Sequence, residues 1–152
     1  MRKILVVLVL MTGLVMAAVK PADYTEVENT LNLIKQAMKD GQEDELTLYT
    51  AALEIVKKAT VPARAEEIVT RILAGCRVKK AEFNQMRKKF SFLDAIISYA
   101  VASQTGENWK EVITKRAEKS WSQIFQEKNL LPRFLREMVQ ALEKLCPQSV
   151  QH

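Results

Sequence analysis

The sequence predicts an all-α protein: a single compact bundle of about six helices behind an N-terminal segment of different character. Three observations carry this. Beyond residue 23, apolar residues recur at steps of three and four, and no stretch alternates as a strand would. Gly41, Gly75 and Gly106 each follow such a segment, while Pro21, Pro62, Pro132 and Pro147 each precede or follow one, as helix stops and first-turn residues do. Finally, Asp23 with Glu26, Asn108 with Glu111 and Ser120 with Gln123 have the spacing of capping boxes.

The first 17 residues read as a secretory signal peptide. Arg2 and Lys3 precede an apolar run from Ile4 to Val15, which ends in Met16, Ala17 and Ala18. Cleavage is expected after Ala17, with Ala18 as the near alternative. The run is about 12 residues, short of the ~20 needed to cross a bilayer, so no retained transmembrane helix is expected. The remaining residues, 18–152, form one helical domain large enough to bury a core. Export to the periplasm or outside the cell follows.

The first helix spans about Tyr24 to Lys39, with Tyr24, Val27, Leu31, Ile34 and Met38 as its inner stripe, and Asp40 and Gly41 end it. The second, about Asp44 to Ala59, buries Leu48, Tyr49, Ala52, Leu53 and Val56. Pro62 starts the third, which runs to Ala74 with Ile68, Val69, Ile72 and Leu73 inside. The fourth covers residues 79–103 and aligns Phe83, Met86, Phe90, Leu93, Ile97 and Ala100. Ser91 and Asp94 also allow a helix restarting at Phe92. The fifth, 108–127, presents Trp109, Val112, Ile113, Arg116, Trp121, Ile124 and Phe125, and Ser120 with Gln123 allows a restart there. The sixth runs from Pro132 to Leu145 and buries Phe134, Leu135, Met138, Val139 and Leu142. Loop spacings are irregular and no position recurs, which favours a bundle over a repeat solenoid.

Charge is unevenly distributed. Residues 18–69 hold ten acids and six bases, whereas residues 70–152 hold eight acids and fifteen bases. Much of that excess comes from Arg77, Lys79, Lys80, Arg87, Lys88 and Lys89, opposed within the segment by Glu82 alone. These six are the candidate surface for an anionic partner, either an acidic protein or an anionic component of the cell envelope. The basic run, and the helix-turn-helix look of SWSQIFQEKNL, also suit nucleic acid, but export argues against it.

Catalytic equipment is not recognisable. The only histidine is the terminal His152, and the chain has neither a phosphate-cradling glycine loop nor a nucleophile motif. Glu66 with Glu67, and Glu43, Asp44 and Glu45, are adjacent in sequence and so point in different directions on a helix, as helix-terminal or solvated charges do. No enzyme activity, catalytic residue, metal or cofactor is expected. Cys76 and Cys146, the only cysteines, are expected to form a disulfide in an oxidising compartment. Asp94 and Arg116, charges on or beside apolar stripes, are expected to form a partly buried ion pair. The expected function is therefore macromolecular binding. The alternative is a carrier of a small apolar ligand, with Met38, Met86 and Met138 lining a cavity.

Thr105, Gly106, Val112, Arg116, Ser120, Trp121 and Ile124 form a pattern in which a Thr-Gly helix start leads to a valine, an arginine and a Trp-containing turn. Over residues 105–130 the chain resembles exported bacterial helical proteins of uncharacterised role, although Lys119 stands where those proteins have Gly. The resemblance implies a bacterial envelope setting and no particular activity.

Overall fold

The computed structural model describes residues 18–147; the expected signal peptide and His152 lie outside them. These residues form eight helices: α1 (Tyr24–Lys39), α2 (Glu43–Lys58), α3 (Pro62–Cys76), α4 (Lys80–Arg87), α5 (Phe92–Thr105), α6 (Trp109–Lys115), α7 (Trp121–Glu127) and α8 (Leu135–Leu145). No helix among them is long and apolar enough to cross a membrane.

Eight helices replace the expected six because two N-caps interrupt otherwise continuous patterns. Ser91 Oγ accepts from the Asp94 N–H (3.0 Å) and Asp94 Oδ2 accepts from the Ser91 N–H (3.3 Å), so α5 begins anew at Phe92. Ser120 and Gln123 make the same reciprocal pair and separate α7 from α6. Gly75 does not stop α3, which continues to Cys76 and ends on Arg77 in the left-handed conformation (φ 55°). Gly75 instead lets an aromatic ring approach: a Cβ there would meet Tyr99 Cε2 at 3.0 Å. At the last helix, α8 starts three residues after Pro132, because residues 131–134 form a turn.

The helix at the centre is α5. Phe92, Leu93, Ala95, Ile96, Ile97, Ala100, Val101 and Ala102 are buried, which leaves it almost no polar face, as befits a helix surrounded by others. Around it pack α2, α3, α6 and α8, while α1 lies mainly on α2. The Trp109 indole N–H donates to the Ala95 carbonyl (3.0 Å), and the indole stacks on Phe83 at 5.5 Å, tying α4 and α6 to α5. At its C-terminal end, α8 leaves carbonyls that two cations satisfy. Arg71 donates to Leu145 O (2.9 Å) and Lys58 to Cys146 O (3.3 Å), where positive charge also complements the helix dipole.

The stripe expected to bury α1 is only partly inside. Thr30 and Ala37 are its buried residues, and Val27 and Ile34 are half-buried, while Tyr24, Leu31 and Met38 face solvent. The roll is set by Glu26, the third residue of α1. Its carboxylate closes a capping box with Asp23 and also reaches the start of α5, where Oε1 accepts from the Phe92 N–H (2.8 Å). Arg87 completes the arrangement. Its guanidinium donates to Glu26 Oε1 (3.1 Å), to the Phe90 carbonyl (2.8 Å) and to the Pro21 carbonyl (3.3 Å), and it lies over the Phe92 ring at 5.3 Å. Among the described residues the buried Arg87 Nε–H has no hydrogen-bond partner. The segment before α1 is held elsewhere too: Val19 N–H donates to Glu66 Oε1 (2.9 Å) and Ala22 N–H to the Ala59 carbonyl (2.9 Å).

Arg87 and Glu26 side chains are 4% and 12% exposed. Removing one partner of a buried pair costs about 3–5 kcal/mol, so Arg87→Met should lower unfolding stability by that amount in urea denaturation. Glu26→Ala should cost at least as much, because it also removes half of the capping box and strands the Phe92 N–H. In the Glu26→Ala background, Arg87→Met should cost much less than it does alone; equal losses in both backgrounds would contradict the coupling.

Candidate anion-binding surface

The six cations expected to form one surface separate into two classes. Arg87 is buried and belongs to the Glu26 cluster, so it is corrected from a surface residue to a core one. The sequence placed it outside because it stands in a run of three cations. Burial became possible because Glu26 and the carbonyls of Lys20 and Pro21 come to its guanidinium from a distant part of the chain and the nearby Phe90 carbonyl completes the set. Lys80 is half-exposed and engaged with Glu66 (3.1 Å). The remaining four, Arg77, Lys79, Lys88 and Lys89, are exposed, and none forms an ion pair among the described residues.

Local structure explains their position. Arg77 and Lys79 occupy the C-cap of α3 and the N-cap of α4, and Lys88 is the C-cap of α4 with Lys89 following it. α4 has eight residues, so the two pairs of cations stand about 12 Å apart at its ends. The inward side of α4 is held by the buried Phe83 and half-buried Met86. Lys88 also borders a shallow recess of about 230 Å³ with Ala18, Lys20, Asn84 and Arg87.

Acidic side chains near this surface already have partners. Glu66 accepts from the Val19 N–H and from Lys80, which together hold its carboxyl below the usual range. Glu82 pairs with Lys110 (3.0 Å). Glu107 lies between Lys128 and Lys115, and Lys128, the closer contact, chiefly depresses its carboxyl.

Asp94 and Arg116 meet, with Arg116 Nε 3.3 Å from Asp94 Oδ1. The contact is one of charge, because that N–H is not aimed to form a hydrogen bond; Arg116 Nη1 donates instead to the Lys119 carbonyl (3.1 Å). Asp94 does more than pair: Oδ1 also accepts from the Trp121 indole N–H (2.9 Å), so one carboxylate joins the starts of α5 and α7.

Cys76 and Cys146 are free thiols, too far apart for a disulfide. The geometry of α8 explains this. The carbonyl of Cys146 is bonded by Lys58, four residues before the neighbouring helix α3 begins at Pro62, whereas Cys76 is the last residue of α3, about 21 Å further along it. Burial pushes the Cys76 thiol up to about 11. The methionines do not share an interior either: Met138 is fully buried, but Met38 is 63% exposed on α1.

Sequence reasoning missed an acidic cleft of about 410 Å³ between the α1–α2 turn and α7. Asp40, Asp44, Glu45 and Ser122 line it above Phe125 and Leu131. Glu45 is buried and accepts a hydrogen bond from the Ser122 hydroxyl, and it helps burial to push the Tyr49 phenol above its ordinary value. Glu45 reads as one of three N-terminal acids of a helix, and nothing in that run tells which one turns inward. Among the described residues no group of three or more His, Cys, Asp or Glu is placed to hold a metal ion.

No protein-family model matches the chain, and neither the curated proteins nor the solved structures contain a significant match.

Two measurements follow. Arg116 is a third exposed, so Arg116→Ala should cost about 1 kcal/mol or less, while Asp94→Ala loses an N-cap partner and strands a buried indole N–H and should cost about 2–4 kcal/mol in thermal or urea unfolding. Equal costs would overturn that ranking. Because Glu107 titrates lower in the folded protein than its ordinary 4.5, the unfolded chain binds more protons as acid is added, and stability should fall as pH drops below about 4.5. Glu107→Gln should destabilise the protein at pH 7 and flatten that acid limb of the stability–pH curve.

Proposed function

We propose that the protein is an exported, non-catalytic binding domain that engages an anionic partner in the cell envelope through the basic surface at the two ends of α4. The observation that carries this reading is the contrast among neighbouring cations. Lys80, Arg87, Lys110, Lys115 and Lys128 have carboxylate partners, whereas Arg77, Lys79, Lys88 and Lys89 are exposed with none among the described residues. Unpaired cations concentrated on one part of a surface raise the local concentration of anionic partners and speed encounter with them. Export is supported by the signal-peptide pattern of the first 17 residues, and the envelope setting by the resemblance of residues 105–130.

The four charges stand on helix caps and turns and form no ion pair among the described residues. Reversing all four, as in R77E/K79E/K88E/K89E, should therefore leave helicity and thermal stability nearly unchanged and abolish binding. Two parallel assays distinguish the partner: cosedimentation with vesicles of anionic against zwitterionic lipid, and affinity capture from solubilised envelope followed by mass spectrometry. Binding should weaken as salt rises from 0.1 M to 1 M, because the screening length falls from about 10 Å to about 3 Å. Capture that survives both the charge reversal and high salt would refute the reading.

A further inference from the structure

Four large apolar side chains are exposed among the described residues: Tyr24 (74%), Leu31 (37%), Met38 (63%) and Val61 (51%). They are not scattered. Tyr24, Leu31 and Met38 follow one another at steps of seven on α1, which places them in a single line about 21 Å long on a 3.6-residue helix. Val61 stands at the Tyr24 end, since Ala22 and Ala59 are hydrogen-bonded two residues before each of them. Half-buried Val27 and Ile34 extend the line toward the core. A contiguous apolar flank on an otherwise polar surface is the usual mark of an interface.

We propose that the protein self-associates through this flank as a two-fold symmetric dimer in which two α1 helices pack antiparallel. Tyr24 and Met38 are each seven residues from Leu31, so the pattern reads the same from either end. A two-fold axis at Leu31 sets Leu31 against itself and Tyr24 of each copy against Met38 of the other, a favourable thioether–aromatic contact. The charges decide the direction. Glu28 and Lys35, both exposed, stand three residues before and four residues after Leu31, and neither has an ion-pair partner among the described residues. Antiparallel packing brings Glu28 of each copy beside Lys35 of the other, twice by symmetry; parallel packing sets like on like. A lipid surface fits less well, because helices that lie on anionic membranes carry a predominantly basic polar face, whereas this flank balances one acid against one base.

The flank is narrow, below the roughly 800 Å² per partner of a standard stable interface, so the dimer is weak and reversible. Sedimentation equilibrium of the purified protein from about 1 μM to about 1 mM should show monomer and dimer in exchange. Leu31→Glu sets two carboxylates at the axis and should weaken association at least about tenfold, with the circular dichroism unchanged. Glu28→Lys and Lys35→Glu should each weaken self-association, and an equimolar mixture of these two variants should recover it, because opposite charges then meet across the axis. Monomer throughout the concentration range, indifference to Leu31→Glu, or failure of the mixture to recover would overturn the proposal. So would a Leu31→Glu protein that loses vesicle binding while its self-association is unchanged.

Discussion

The fold depends on one carboxylate placed between two helix starts. Glu26 satisfies its own N-cap at α1 and the first N–H of α5, and the guanidinium of Arg87 neutralises it out of water. Helix N-termini attract negative charge, and two of them converging on one acid make a site that requires a cation once solvent is excluded. That cation comes from the end of α4 and is shared with the Lys20 and Pro21 carbonyls of the segment entering α1. Four parts of the chain thus meet at one charge cluster. The way α1 lies on the bundle follows from it, including which of its apolar residues remain outside.

A second carboxylate repeats the device at the same start of α5. Asp94 caps its own helix, accepts the indole N–H of Trp121 at the start of α7 and lies beside Arg116 at the end of α6. Both acids are third residues of their helices within capping boxes, so each is fixed by local structure before it makes a distant contact. A side chain already held in one rotamer loses little further entropy on gaining a partner. Such short helices as α6 and α7, each seven residues long, hold their places around α5 by burying Trp109, Val112, Ile113, Trp121, Ile124 and Phe125, and the Asp94 contacts add to that packing.

Consumption of charge by these internal contacts shapes the surface. Two acids near α4 are engaged, Glu66 by Val19 and Lys80 and Glu82 by Lys110, and the four cations at its ends form no ion pair among the described residues. On α1, Glu28 and Lys35 form no ion pair among the described residues and border an apolar line. The two surfaces differ in character, one a field and the other a complementary seam, and they lie on separate helices.

The sequence by itself determined the helical class and most element positions, because these rest on local chemistry. The spacing of apolar residues, the first-turn Pro62 and the caps at Asp23, Ser91 and Ser120 act within a turn or two of helix. Even the division of the long basic helix was legible as an alternative in Ser91 and Asp94. Tertiary structure alone decided which members of a local pattern face inward. Arg87 and Lys88 are adjacent cations of the same segment, yet one is buried because Glu26 and the carbonyls of Lys20 and Pro21 come to it from more than sixty residues away. Leu31 sits on the same apolar stripe as Ile34 yet lies outside, because that carboxylate fixes how α1 is rolled. Cys146 likewise lies by Lys58, near where α3 begins, and Cys76 where α3 ends, which spacing could not reveal. Periodicity states that a helix has two sides, and only long-range partners choose which side is the inside.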